Sequence, residues 1–375
     1  MQTRASTSLL VVGAAILLAG GRTALGDDPS VPHYPDHSRV LVYLDADGRE
    51  HTIDTAADWA IRRRHVLAGM QEAMGPLPDR SNLPPMDVQV TKRMQGEGFE
   101  RLTISFVTEP NDRLAAHLYL PGGRAPGERV PAMLALHPTS PLGKDRVTEA
   151  GGEPNRMVAF ELAQRGYVVI APDYPSFGDS RDYDFQADRY ESGTMKGIFN
   201  HMRCVDLLQT REEVDPERIG AIGHSLGGHN AMFVGVFDER LKVIVSSCGW
   251  TPFHDYYGGK IKGWTSDRYM PKLRDVYGLD PDRVPFDFYE VVAALAPRAF
   301  FSNSPLGDGN FDVAGVRKGV AEASQVFALL GAADRLQVRY PDCAHDFPPP
   351  VRREAYEFVD RVLRHTPARK VPRPE

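Results

Sequence analysis

The sequence predicts an α/β fold: a mostly parallel, mixed β-sheet covered by helices on both faces. Three observations carry this. Short apolar runs alternate with helical patterns from residue 130 to the C-terminal region, and alternating strands and helices require a parallel sheet with both faces covered. Before them, residues 86–120 show period-two patterning broken by Gly, Asn and Asp turns, the mark of antiparallel strands. The composition is that of an ordinary globular chain, with 42% hydrophobic and 25% charged residues among 375.

The first segment is a targeting signal by pattern. Arg4 precedes the apolar run Leu9–Ala19, and the small residues Ala24 and Gly26 follow, then Asp27 and Asp28. The run is too short to span a bilayer comfortably, so it predicts a cleaved signal peptide over residues 1–26, an exported protein, and no membrane association after cleavage. Residues 27–50 are rich in Pro, Asp and His and predict a loosely ordered lead-in. Thr55–Met74 predicts one helix, with Trp59, Ile61, Val66, Leu67, Met70 and Met74 at near-helical intervals and Gly75-Pro76 as the stop. The basic run Arg62-Arg63-Arg64 predicts a solvated face of that helix. Together residues 27–85 form an N-terminal extension.

The main domain is expected over residues 86–366, with a short tail after it. Antiparallel strands are expected at Met86–Thr91, Glu100–Val107 and Ala115–Leu120. Strands Val130–Leu136, Tyr167–Ile170, Arg218–Gly223, Leu241–Ser247, Ala299–Asn303 and Arg335–Arg339 follow. They interleave with helices at Val158–Arg165, Thr194–Thr210, Gly228–Val236, Val320–Leu330 and Arg352–Leu363. A cap-like excursion separates two strands over residues 248–297.

Charge narrows the function. With Lys plus Arg at 44, Asp plus Glu at 50 and a net charge of -6, nothing drives the chain toward nucleic acid or an anionic membrane. Cys204, Cys248 and Cys343 match no metal spacing, and no His, Cys or carboxylate cluster has catalytic-metal spacing, so no metal and no cofactor are expected. Their pairing, like the oligomeric state, is not legible.

The chemistry concentrates in Ile219-Gly-Ala-Ile-Gly-His-Ser225-Leu-Gly-Gly228, a strand, then G-x-S-x-G, then a helix. A serine hydroxyl attacks only if exposed, held and deprotonated. A sharp strand-to-helix turn holds it, glycines at 223 and 227 admit the close backbone approach, and the following helix aims its N–H groups at the site. Ser225 is thus the expected nucleophile and the Leu226 N–H one oxyanion donor. The base is expected on the loop after the last strand, at His345. The acid is expected after Ala299–Asn303, at Asp308, with Asp312 as the alternative, though Asp312 also fits a helix N-cap. The second oxyanion donor belongs to the loop His137-Pro138-Thr139-Ser140. Pro138 has no N–H, which favours Thr139, and His137 either braces the loop or reaches substrate. Trp250, Phe253, Tyr256, Tyr257, Trp264 and Tyr269 crowd the excursion as it leaves a strand end, where α/β sheets place ligands, and predict a pocket wall or a cap.

Placed in this order, the residues resemble the α/β-hydrolase superfamily and most of all its dienelactone-hydrolase and acetyl-xylan-esterase branch. The resemblance spans roughly 86–365 and rests on Ala171-Pro-Asp-Tyr-Pro-Ser-Phe-Gly-Asp-Ser180, Asp215–Gly228 and His345-Asp-Phe347. It implies the α/β-hydrolase fold and a Ser225–Asp308–His345 triad without cofactor. Dienelactone hydrolases proper use a cysteine nucleophile, and glucuronoyl esterases place a basic residue after the serine; Ser225 and Leu226 point away from those two narrow activities. The expectation is an exported carboxylic-ester hydrolase acting on a small-molecule or carbohydrate ester through an acyl-enzyme. A serine peptidase on the same triad and a binding protein with a relict site are the alternatives.

Overall fold

A computed structural model describes residues 32–368. The predicted signal peptide lies outside the described residues. The elements, in chain order, are β1 (Val42–Leu44), β2 (Glu50–Thr52), α1 (Ala56–Met74), β3 (Gln89–Gly96), β4 (Phe99–Glu109), β5 (Asp112–Pro121), β6 (Val130–Leu136), α2 (Val158–Gln164), β7 (Val168–Pro172), α3 (Gly193–Thr210), β8 (Val214–His224), α4 (Leu226–Phe237), β9 (Leu241–Ser247), α5 (Lys272–Asp275), α6 (Phe288–Ala293), β10 (Ala299–Asn303), α7 (Val313–Leu329), β11 (Leu336–Arg339) and α8 (Pro349–Val362). Among the described residues no helix is long and apolar enough to cross a membrane.

Nine strands form one sheet in the order β11-β10-β9-β8-β6-β7-β5-β4-β3. β3, β4, β5 and β7 pair antiparallel in succession, and the remaining pairs are parallel. β6, β7 and the inner part of β8 are buried on both faces. That is why they read as continuous apolar runs rather than alternating ones. Two apolar cores result. One packs α3, α4, α6 and α7 with α1 on one face of the sheet; the other packs α2 and α8 on the opposite face. The chain passes from β6 to β7 on one side and to β8 on the other, and the crevice at that reversal opens at the carboxyl ends of the strands.

Three expectations are corrected. Residues 32–53 are not a loose lead-in: β1 and β2 pair as a hairpin, and Tyr34, His37, Val40 and Ile53 are buried. Arg62 is not on a solvated face. It is fully buried, pairs with Glu290 of α6 and lies over the Tyr34 ring, while Arg63 donates to the carbonyls of Ala294 and Val236. α1 therefore turns basic side chains inward onto the excursion, whereas Ile61 and Leu67 are only partly buried. Finally, α7 begins seven residues before the expected Val320, because Gly315 and Gly319 are packing sites rather than breakers. A Cβ on Gly315 would lie 2.3 Å from Thr251 Oγ1, and one on Gly319 2.6 Å from the Trp250 ring. α1 itself starts with a capping box, in which Thr55 and Asp58 satisfy each other's backbone N–H.

Candidate active site

Ser225 sits between β8 and α4 with φ 56° and ψ −121°, a conformation costly for a residue with a Cβ. The neighbouring glycines make the turn possible. A Cβ at Gly223 would fall 2.2 Å from the Gly227 backbone, and one at Gly227 2.0 Å from the Leu136 carbonyl oxygen. From Ile219 to Val236 every residue except Ser225 is buried. The turn thus lifts one hydroxyl out of an otherwise closed core. The Ser225 N–H donates to the Ser247 carbonyl at 2.7 Å, pinning the turn to β9.

His345 lies on the loop after β11, and its Nδ1 is 2.9 and 3.0 Å from the two carboxylate oxygens of Asp308. A carboxylate only accepts, so Nδ1 carries the proton and Nε2 is left as the basic nitrogen. Asp308 also accepts from the N–H groups of Asn310 (2.8 Å) and Phe311 (3.2 Å). Burial pushes its carboxyl up, but the His345 hydrogen bond and charge with the two backbone donors prevail, and it is held below the usual carboxylate range. Asp312 is elsewhere occupied: it is the N-cap of α7 and accepts from Ala314 N at 2.8 Å.

Behind His345 lies a polar layer that nothing in the spacing of the sequence announced. Asn303 Nδ2 donates to Ser247 Oγ (2.9 Å) and to the Asp346 carbonyl (2.8 Å), and Ser247 Oγ is 2.9 Å from His224 Nδ1. Burial, with the charges of Arg156 and His345, holds His224 well below the usual imidazole range, so it stays neutral beneath the His345 ring, whose centroid is 4.9 Å away. Cys248, at φ 50°, places its thiol 3.4 Å from the Asp346 carbonyl. Among the described residues Cys248, Asp308 and His345 form the one group with metal-ligand proximity. Burial, followed by the Asp308 charge, pushes that thiol up, and Asp308 and His345 Nδ1 are committed to each other, so none of the three ligand atoms is set up as a free metal donor. All three cysteines are free thiols.

The loop expected to supply the second oxyanion donor is equally braced. Neither the Leu226 nor the Thr139 N–H has a protein acceptor among the described residues, which leaves both for a ligand. His137 holds the loop: its Nε2 accepts from Tyr174 N at 2.9 Å, so the protonated Nδ1 donates to the Pro138 carbonyl at 2.7 Å. Burial keeps this ring neutral. Asp173, fully buried, accepts from the Lys144 N–H and Nζ and the Asp179 N–H, tying the far end of the same loop to β7.

A cavity of about 140 Å³ opens at Ser225 and is lined by Thr139, Leu226, Tyr256, Gly263, Trp264, Tyr269, Asn310 and Phe311. Of the aromatic residues expected in a pocket wall, Tyr256, Trp264 and Tyr269 line it, whereas Phe253 is buried in the core. Trp250 does not: it is buried, with its indole N–H on Ser302 Oγ at 3.0 Å, and supports α7 from below. Tyr257 stands half-exposed at the lip, its hydroxyl on Asn310 Oδ1 at 2.5 Å. His137 is buried behind the loop and does not line the cavity. Phe311 is a wall residue that the aromatic run of the excursion does not announce, although it follows Asp308 at the spacing of the acid loop. Phe311 stacks on His345, ring centroids 6.0 Å apart. A larger cavity, about 540 Å³, lies at the β4–β5 turn and does not include Ser225.

The comparisons with known proteins agree with this architecture. The family model described as "Alpha/beta hydrolase family" matches residues 151–372. YtaP of Bacillus subtilis (strain 168), described only as a hydrolase, is 28% identical over 307 residues, covering 77% of this chain and 96% of its own. Carbohydrate esterase MZ0003, from an unknown prokaryotic organism, is 25% identical over 375 residues, covering 84% and 83%. The solved glucuronoyl esterase of Solibacter usitatus superposes with a TM-score of 0.66 at 20% identity, covering 89% of this chain and 99% of that one, a likeness of fold. The match of the family model over more than half the chain, on a sheet and strand-to-helix turn of this form, establishes that the protein belongs to the alpha/beta hydrolase family.

Proposed function

We propose that this protein is an exported serine esterase that hydrolyses carboxylic esters of carbohydrates through an acyl-enzyme. The observation that carries the reading is the hydrogen bond from His345 Nδ1 to the Asp308 carboxylate, which leaves Nε2 basic on the side of the sheet where Ser225 alone is lifted from the core. In the proposed cycle His345 Nε2 takes the Ser225 proton as Oγ attacks the ester carbonyl. The oxyanion is held by the N–H groups of Leu226 and Thr139, at the positive end of α4. The protonated His345 then delivers its proton to the departing alcohol, and a water, activated by the same imidazole, releases the acid. Asp308 never leaves its carboxylate form; it stabilises the imidazolium.

The name of MZ0003 as a carbohydrate esterase supports a sugar ester, and so does the aromatic wall of Tyr256, Trp264, Tyr269 and Phe311, because ring faces pack against the C–H faces of sugars. Leu226, packed on Tyr174, Phe177 and Tyr269, stands where a basic residue would supply further oxyanion charge. The apolar N-terminal run supports export. The deciding experiment is a fluorophosphonate label combined with a panel of acetylated, feruloylated and methyl-esterified sugars, nitrophenyl esters and aminoacyl anilides. Labelling at Ser225 with ester turnover is expected. Turnover of anilides alone would move the reading to a peptidase, and no label would leave a binding protein.

A further inference from the structure

We propose that Arg268 is a specificity-determining residue of this cleft and reads a carboxylate that the substrate carries beside the ester being cut. The inference rests on the esterase reading and adds a substrate class to it: esters on acidic glycans, such as acetylated polyuronides.

The cavity at Ser225 is lined by no charged side chain, so the acyl group that enters it is neutral and, at about 140 Å³, compact. A charge adjacent to the wall along the chain is Arg268. Arg268 directly precedes Tyr269, a wall residue. Its Nε donates to Ser176 Oγ at 2.6 Å, and its Cζ lies 4.3 Å above the Phe177 ring. Phe177 in turn packs with Leu226 and Tyr174, and Tyr269 packs on that cluster. The backbone of Arg268 is fixed as well, because its carbonyl accepts from the Tyr174 hydroxyl at 2.7 Å. A half-buried guanidinium is therefore held by its inner nitrogen and one face, a single layer of side chains from the oxyanion donor.

What it lacks is an acceptor. Among the described residues neither terminal nitrogen of Arg268 makes a hydrogen bond or ion pair with the protein. The comparable part-buried arginines near the site are spoken for: Arg156 by Asp346, Arg352 by Glu161. An arginine immobilised at Nε with both terminal nitrogens open is a fork arranged for a planar, two-oxygen partner, and its ordering entropy is already met by the fold rather than by the ligand. Lys260 and Lys262 are exposed on the segment that carries the wall residues Gly263 and Trp264, so two further cations stand on the same excursion.

The test uses a matched pair: an acetylated oligogalacturonide and its carboxyl-reduced counterpart, which differ only in the carboxylates, with nitrophenyl acetate as a reference ester. The wild type should favour the charged member by about tenfold in kcat/KM at low salt, the worth of one partly exposed charge-assisted contact, and the preference should shrink in 0.5 M salt. Arg268→Gln should abolish the preference, raising KM for the charged member toward that for the carboxyl-reduced one, and Arg268→Lys should retain part of it. Should Arg268→Gln fold poorly, the wild type alone still decides: unacetylated trigalacturonate should inhibit nitrophenyl acetate hydrolysis competitively and its carboxyl-reduced form should not. Equal kcat/KM on the matched pair, or an Arg268→Gln loss that falls equally on the neutral esters, overturns the proposal while leaving the esterase reading intact. Absence of turnover on every ester by the wild type would sink both.

Discussion

Replacing Asp308 by Asn tests the catalytic geometry more sharply than replacing the serine, because shape and volume are preserved and only the proton inventory changes. In the wild type the carboxylate accepts from His345 Nδ1 at 2.9 and 3.0 Å and from the N–H groups of Asn310 and Phe311. The asparagine Oδ1 can keep the two backbone donors, which face one oxygen. Its Nδ2 then replaces the oxygen 3.0 Å from His345 Nδ1, and a donor facing a donor opposes the proton on Nδ1 and favours the tautomer that carries it on Nε2, the nitrogen that has to be free. The expected loss is about 10⁴ in kcat, or about 5.5 kcal/mol of transition-state stabilisation, against a loss of at most about 1–2 kcal/mol of stability. Asp312→Asn is the paired control. The Asp312 carboxylate accepts only from Ala314 N as the cap of α7 among the described residues, and asparagine caps nearly as well, so a stability change under about 1 kcal/mol and a near wild-type rate are expected. Ester turnover and melting temperature are measured on both variants. A dead Asp312→Asn beside an active Asp308→Asn would refute the assignment of the acid and, with it, the tautomer argument.

Ser225→Ala should abolish turnover, by roughly 10⁴–10⁶ in kcat, while the melting temperature holds, since the hydroxyl makes no hydrogen bond among the described residues; a folded variant with near wild-type activity would end the nucleophile assignment. Arg62→Met should destabilise by about 3–5 kcal/mol in denaturant unfolding by stranding Glu290 in the core, and adding Glu290→Gln should recover part of that; a loss under about 1 kcal/mol would show the pair to be unimportant. Burial pushes the Asp287 carboxyl up to about 7, against the pull of the Phe253 and Phe288 N–H groups. Because this raised group binds its proton more tightly folded than unfolded, stability should fall as pH rises from about 4 to about 7. His37 adds to the fall above pH 6.5: burial opposes its charge, but Glu290 raises it overall. Asp287→Asn should flatten the lower part of that slope in pH-dependent melting, and an unchanged slope would discount the group. Chelators should leave the rate unchanged, because the thiol beside Asp308 and His345 is held protonated; a loss restored by zinc would show a metal role.

The parts of the fold that the sequence announces are those whose signals are local. β6, β9 and β10 are apolar runs bounded by turns and fall within the expected residues. The Ser225 turn is equally local, since its glycines answer to contacts within five residues and one neighbouring strand. What stayed hidden depends on partners far along the chain. Arg62 reads as a surface residue until Glu290, 228 positions later, comes to meet it. The β1–β2 hairpin pairs three residues with three, too few to show a period. The layer of Asn303, Ser247 and His224 draws on ends of three strands, and polar residues at strand ends look alike in a sequence whether they serve His345 or water. Trp250 shows the converse error: aromatic content marked the excursion as a wall, but only packing decides which rings face the cavity and which carry α7.

The pairing of α1 with α6 bears on how this scaffold could be recombined. The excursion over residues 248–297 supplies much of the wall beside Ser225 and invites transplantation as a cassette into a related hydrolase. It would not travel alone. Glu290 is met by Arg62 and by His37 Nδ1 at 2.9 Å, and His37 Nε2 is 2.9 Å from the Val284 carbonyl, so the cassette's buried acid is neutralised by residues near the start of the described chain. A graft of the excursion without residues 34–74 would carry an uncompensated carboxylate into its new host. A chimera designer must therefore treat two stretches separated by more than 170 residues as one exchangeable part.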